Sequence, residues 1–314
     1  LMKLESNATA FLFPGQGSQS IGMGRGLAQR FTSARRMFEE ADSVLGLPFS
    51  KIMWDGPEGE LNDTINTQPA LYIHSLAAFQ AVAECFGNFQ PAVMAGHSLG
   101  ELSALTAAGA LSFQNGLRLV RKRGELMKRA GQLNPGGMAA ILNLGIPELD
   151  RVCAAAATPE EPVQVANDNS PGQVVISGAK AAVARAVDGA KAAGAKRAIP
   201  LAVSIAAHSR LMAPIQDEWN QAIGDAALTD AGVPVIGNVA ARAITSAADL
   251  RRDIEAQMQS RVRWTETVQL MSSMGVASFV EVGTGSVLLG LVKRIAPSAA
   301  GYPLGNPTDF AALE

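Results

Sequence analysis

The sequence predicts an α/β protein in which a smaller unit is inserted into a larger one. Three observations predict it. Short apolar runs alternate with segments of helical periodicity along most of the chain. One run, 92–95, turns at Gly96-His97-Ser98-Leu99-Gly100 into a helix of small residues. A stretch near the middle reads strand, helix, strand, strand, helix, strand, which is the βαββαβ order of a ferredoxin-like unit. The chain has 314 residues, enough for two units of about 150 each. The larger unit is expected over 1–132 and 204–314, and the smaller over 133–203.

The elements follow in order. Residues 10–13 form a strand ending in the loop Pro14-Gly15-Gln16-Gly17-Ser18-Gln19, and 68–86 read as a long, mostly buried helix. The strand 92–95 feeds the helix 101–108, and Ser112 is placed to cap a helix over 113–130. Gly136-Gly137 opens the inserted unit, with strands at 139–144, 163–167, 173–177 and 198–201 and helices at 147–157 and 179–193. A helix over 209–227, a buried strand near 233–236, a strand at 279–282 and a helix over 287–295 complete the pattern.

Composition narrows the function. Apolar residues make up 48% and charged residues 17%, against a usual charged share of roughly 25%. Such a chain buries a large core. A net charge of −2 gives no basic field for nucleic acid. Two cysteines, Cys85 and Cys153, do not build a disulfide scaffold or a thiolate metal site, so no metal is expected. No apolar stretch is long enough for a membrane span, and residues 1–10 lack the apolar core of a signal peptide. These features point to a cytoplasmic protein.

Gly96-His97-Ser98-Leu99-Gly100 has the G-x-S-x-G form of a nucleophile elbow, set between a strand and a helix. Glycines flank the serine because the turn leaves no room for side chains. The Ser98 hydroxyl then projects from a helix N-terminus, and the Leu99 N–H points where an oxyanion would form. The same five residues would also serve an ordinary strand–helix turn. A serine nucleophile needs a base, and the chain has three histidines. His97 adjoins Ser98, and neighbours on a sharp turn usually diverge. His74 lies on an apolar helix face, where a histidine is commonly a hydrogen-bonded core residue. His208 sits at a loop end before a helix, a good place for a catalytic side chain and one that favours neutral imidazole. No Asp or Glu is close in sequence, so a backbone carbonyl is the alternative that would orient the ring.

The helix over 113–130 carries six basic residues. Arg118, Arg121, Lys122, Lys128 and Arg129 share a polar face, where such a run is usually solvated. Arg123 falls in the apolar stripe of Leu119, Val120, Leu126 and Met127. A guanidinium there must be paired. Its partner is either a distant carboxylate of the protein or the carboxylate of a substrate, held bidentately. The glycines of Gly15-x-Gly17 and Gly22-x-Gly24-x-Gly26 lack the spacing of a dinucleotide fingerprint, and there is no phosphate-binding lysine loop.

Taken together, Phe13-Pro14-Gly15-Gln16-Gly17-Ser18-Gln19, Thr67-Gln68-Pro69-Ala70-Leu71, Gly96-His97-Ser98-Leu99-Gly100-Glu101, Arg123-Gly124-x-Leu126-Met127, Asn167-x-Asn169-Ser170-Pro171-Gly172-Gln173, His208, Val262-Arg263-Trp264 and Glu281-Val282-Gly283 resemble the malonyl-CoA:acyl carrier protein transacylases. The resemblance runs from Phe13 to about Arg294. It implies an α/β-hydrolase-like large subdomain with a ferredoxin-like insertion. It implies that Ser98 is acylated, that His208 is its base, and that the Gln257 backbone carbonyl orients His208. Backbone N–H groups of Gln16 and Leu99 would form the oxyanion hole. Arg123 would bind the malonyl carboxylate, with Gln68, His97 and Asn169 as further substrate-binding residues. The substrates would be malonyl-CoA and phosphopantetheinylated acyl carrier protein, with no cofactor and a monomeric enzyme. A transferase that loads a polyketide synthase and an acyl-thioester editing hydrolase are the alternatives. Two departures stand out. Ala206-Ala207 replaces the family's Pro-Ser or Pro-Phe before the histidine, at positions expected to border the acyl pocket. Arg261 replaces a proline before Val262, a change expected at the surface.

Overall fold

The computed structural model describes residues 4–87 and 89–313. Positions 1–3, at the start of the stretch read for a leader, lie outside the described residues, as does 314. Among the described residues, ten strands form two sheets. They are β1 (Thr9–Phe13), β2 (Val93–Gly96), β3 (Gly136–Leu142), β4 (Val163–Ser170), β5 (Gln173–Ala179), β6 (Arg197–Pro200), β7 (Val235–Ile236), β8 (Ala243–Ile244), β9 (Ser278–Val282) and β10 (Ala300–Leu304).

The larger sheet has the order β10-β9-β1-β2-β7-β8. All its pairings are parallel except β7 with β8. Central parallel strands are covered on both faces, which is why β1 and β2 read as unbroken apolar runs and are buried throughout. One face packs on the long helix Thr64–Phe86 and its neighbours, through Phe11, Phe13, Tyr72 and Leu76. The other packs under Trp264–Ser273 and Val287–Ile295, through Ala10, Leu12, Phe279 and Trp264.

The smaller sheet has the order β4-β5-β3-β6 and is antiparallel throughout. Taking its strands in chain order as first to fourth, this is second, third, first, fourth, the ferredoxin-like arrangement read from the sequence. Its helices Ile146–Ala156 and Lys180–Ala192 close a core of its own around Ile141, Leu149, Ile176 and Val183. A parallel bridge between Asn167 and Val262 ties it to the larger unit. There Val262 N–H donates to Ala166 O at 2.8 Å and Asp168 N–H to Val262 O at 2.9 Å.

Some elements differ from expectation, each for a local reason. The first long helix starts at Thr64, not 68, because Asp63 caps it by accepting from Ile65 N at 3.2 Å. Pro69 lies inside that helix and leaves Ile65 O without its intrahelical donor; Arg121 Nη1 donates to that oxygen at 3.2 Å. The single helix expected over 209–227 is two pieces, a 3-10 stretch Arg210–Ile215 containing Pro214 and an α-helix Gln216–Asp225. The strand expected at 233–236 shrinks to two residues, Val235–Ile236. β10 has no apolar alternation to announce it. It is an edge strand, which tolerates both Gly301 and Pro303. Among the described residues no helix is long and apolar enough to cross a membrane.

Candidate active site

Ser98 sits where β2 turns into the helix Gly100–Ala107, with a left-handed φ of 53°. A non-glycine residue adopts that conformation only when its surroundings impose it. The flanking glycines are part of the cause. A Cβ on Gly96 would stand 1.9 Å from Gly100 C and O, and one on Gly100 would stand 2.0 Å from Phe13 O. The buried Asn238 supplies the rest. Its Oδ1 accepts from Ser98 N at 2.7 Å and its Nδ2 donates to Gly96 O at 2.7 Å, so one amide clamps both sides of the turn.

His208 is the histidine that reaches the serine. Its Nε2 lies 2.8 Å from Ser98 Oγ, and its Nδ1–H donates to Gln257 O at 2.9 Å. That carbonyl fixes the tautomer, leaving Nε2 as the acceptor. His208 also has a left-handed φ, 58°. Burial lowers its pKa to about 3, aided by the Arg123 cation. His97 points elsewhere: its Nε2 donates to Asn169 Oδ1 at 2.8 Å and its ring meets Trp264 edge-on. His74 is a core residue whose Nε2–H donates to Gly305 O at 2.9 Å. Burial holds its pKa down to about 4.

Arg123 is 1% exposed and has no ion pair among the described residues. Its donors meet neutral oxygens instead. Nη1 donates to Gln68 Oε1 at 2.9 Å, and Nη2 to Gln257 Oε1 at 2.8 Å and Ser98 Oγ at 3.1 Å. Its Nε–H is buried and has no partner among the described residues. Burial lowers the guanidinium pKa to about 10, which still leaves a cation at neutral pH. The other five basic residues of its helix are on the outer face; Lys122 and Arg129 both pair with Glu218, at 3.5 and 2.5 Å, and Lys128 with Asp63 at 2.5 Å.

A cavity of about 440 Å³ opens over Ser98 between the two subdomains. Gln16, His97, Leu99, Arg123 and His208 line it from the larger sheet's side, and Asn167, Asn169 and Val175 from the smaller. Neither the Gln16 nor the Leu99 backbone N–H meets a protein acceptor among the described residues. Gln68 is not on the wall, as its substrate-binding assignment would require; it lies behind Arg123 and orients it, with Nε2 against Met127 Sδ. Ala207 lines the cavity, but Ala206 is buried away from it; a Cβ on Gly136 would stand 2.5 Å from the Ala206 Cβ. Arg261 is only half-exposed and lies 3.9 Å from Glu266. Two buried residues were not singled out from the sequence as site residues: Asn238, and Glu101, whose carboxylate accepts from Asn238 N at 3.2 Å and Gln257 Nε2 at 2.5 Å.

The acyl transferase domain family matches residues 10–303. The chain is 45% identical over 286 residues to a malonyl CoA-acyl carrier protein transacylase of Bacillus subtilis, covering 91% of this chain and 90% of that one. It is 43% identical to the protein of that name from Haemophilus influenzae, covering 97% of each. An acyl carrier protein S-malonyltransferase from Vibrio cholerae superimposes with a TM-score of 0.94 at 42% identity, covering 98% of this chain and 100% of that one. A malonyl-transacylase solved in complex with its type II PKS acyl-carrier protein gives 0.92 at 42% identity, covering 97% and 98%.

Proposed function

The chain belongs to the acyl transferase domain family, and from that premise we propose that it is a malonyl-CoA:acyl carrier protein transacylase working through a Ser98 ester. The observation that carries the reading is a buried arginine beside an activated serine: Arg123 Nη2 lies 3.1 Å from Ser98 Oγ, which lies 2.8 Å from His208 Nε2. A hydrolase for simple acyl groups has no use for that cation.

Malonyl-CoA enters the cavity with its carboxylate on Arg123, whose planar fork suits a bidentate anion. The thioester carbonyl then lies over Ser98. Ser98 Oγ attacks it as His208 Nε2 takes the hydroxyl proton. The carbonyl oxygen becomes an oxyanion held by the N–H groups of Gln16 and Leu99. Collapse breaks the C–S bond, and the proton on His208 leaves with the coenzyme A thiol. The pantetheine thiol of the carrier protein then gives its proton to His208, attacks the Ser98 ester and departs as malonyl thioester, returning the proton to Ser98. His97, steadied by Asn169, borders the acyl group; Gln68 and Gln257 hold Arg123 from behind. No step calls for a cofactor. All these residues come from one chain, which supports a monomer as the working unit. The product is the extender thioester of fatty-acid synthesis, whose soluble coenzyme A and carrier partners put the reaction in the cytoplasm.

Arg123→Ala tests the reading. Removing one member of a buried charge pair costs about 2–5 kcal/mol, so malonyl transfer should fall roughly 30- to several-thousand-fold. Acetyl transfer should fall far less, and Arg123→Lys should not restore the fork. An unchanged ratio of malonyl to acetyl kcat/KM in a folded variant would remove the diacid reading.

A further inference from the structure

Gln257 joins every part of the site. Its backbone carbonyl holds His208 Nδ1, its Oε1 accepts from Arg123 Nη2, and its Nε2 donates to Ser98 O at 2.9 Å and to Glu101 Oε2 at 2.5 Å. An amide works in this place only one way round. With oxygen and nitrogen exchanged, an NH2 group would face the guanidinium, which has donors only.

Glu101 is the side chain that opposes that exchange from the far end. It is 1% exposed on the helix Gly100–Ala107. Both its oxygens accept, one from Gln257 Nε2 and one from the backbone N–H of Asn238, the residue that clamps the Ser98 turn. It pairs with no cation among the described residues, and burial, with the neighbouring Asp253 carboxyl, holds its pKa well above the usual carboxylate range. Ionised or protonated, both its oxygens can accept, which a glutamine NH2 cannot. Hence the chain of donors runs in one sense, from Arg123 to Gln257 Oε1 and from Gln257 Nε2 to Glu101.

We propose that Glu101 is a positioning residue for diacid selectivity: it sets the polarity of the Gln257 amide, which in turn aims the Arg123 guanidinium at the substrate carboxylate. The inference rests on the malonyl reading of Arg123 given above. Glutamine at position 101 keeps the shape but offers one acceptor where two donors arrive. The backbone N–H of Asn238 cannot reverse and keeps that one oxygen, so the new NH2 meets Gln257, whose amide turns and leaves Arg123 without its acceptor.

The test is a double-mutant cycle read as the ratio of malonyl to acetyl kcat/KM, with thermal melts run alongside. Glu101→Gln should lower the ratio about tenfold or more, the scale of one hydrogen bond to a charged group. In an Arg123→Ala background the same change should leave the ratio where Arg123→Ala alone puts it, because the effect passes through that guanidinium. Should Glu101→Gln fail to fold, Gln257→Leu answers the same question. It removes the amide, keeps the carbonyl that holds His208, and should lower the malonyl ratio to a similar extent. A folded Glu101→Gln with the wild-type ratio would overturn the proposal, as would a loss of ratio that persists undiminished without Arg123. If Arg123→Ala itself leaves the ratio unchanged, it is the malonyl reading that fails.

Discussion

Burial, not a partner acid, sets the protonation state of His208. The ring is held by a neutral carbonyl, Gln257 O, and its pKa is lowered to about 3 by burial first and by the Arg123 cation second. A group whose pKa is lowered in the folded protein stays deprotonated as pH falls through its ordinary value near 6.5. The acylation kcat/KM with acetyl-CoA should therefore stay flat between about pH 5.5 and 8. Arg123→Ala removes one cause of the lowering, so its acid limb should move to higher pH. A wild-type rate that falls with an ordinary histidine titration, or a limb that moves down in Arg123→Ala, would contradict this. At this scale much of the site is legible in the sequence. Ser98 stands in a local pattern, His208 is one of three histidines, and Arg123 breaks an apolar stripe. Asn238 is not legible, because nothing within its own segment signals a partner 140 positions away at Ser98.

The elements that matter most are the strand–helix turn at Ser98 and the segment around Asn238 that braces it. The turn was readable because its glycines and its flanking periodicity are contiguous. Its brace was not, since the two-residue strand Val235–Ile236 is too short to display a period. The 3-10 stretch Arg210–Ile215 reads as α-helix in the sequence for a related reason: apolar spacing does not separate the two over a single turn. Asn238→Ala would leave Ser98 N–H and Gly96 O without their partners inside a buried turn. Each buried group left unpaired costs about 1–3 kcal/mol. The variant should unfold at lower urea and acylate more slowly, by the same factor with malonyl- and acetyl-CoA, since the turn and not the carboxylate clamp is loosened. A loss confined to one donor would contradict that role.

At the scale of the whole molecule, the cavity exists because the ferredoxin-like unit is held against the larger sheet along β4. The βαββαβ order was legible in the sequence because each of its strands is flanked by its own helix or turn. The contact that seats it was not, since Asn167 and Val262 lie far apart in the chain and meet only through backbone. Thr265 Oγ1 reinforces the seam by donating to Asp168 Oδ1 at 2.6 Å in a buried setting. Thr265→Val leaves that carboxylate short of a donor, at a cost of about 1–3 kcal/mol. It should lower the urea midpoint and raise KM for malonyl-CoA while leaving kcat nearly unchanged, because Asn167 and Asn169 shift while Ser98 and His208 do not. A lowered kcat at constant KM would contradict this division of labour. In the proposed reaction this one chain carries the acyl group between two partners on Ser98. The most direct measurement is the mass of the intact protein after brief mixing with malonyl-CoA, followed by addition of phosphopantetheinylated acyl carrier protein. One malonyl group should appear on the peptide containing Ser98, vanish when the carrier is added, and be absent from Ser98→Ala. Labelling that survives in Ser98→Ala, or that maps to Cys85 or Cys153, would contradict the account.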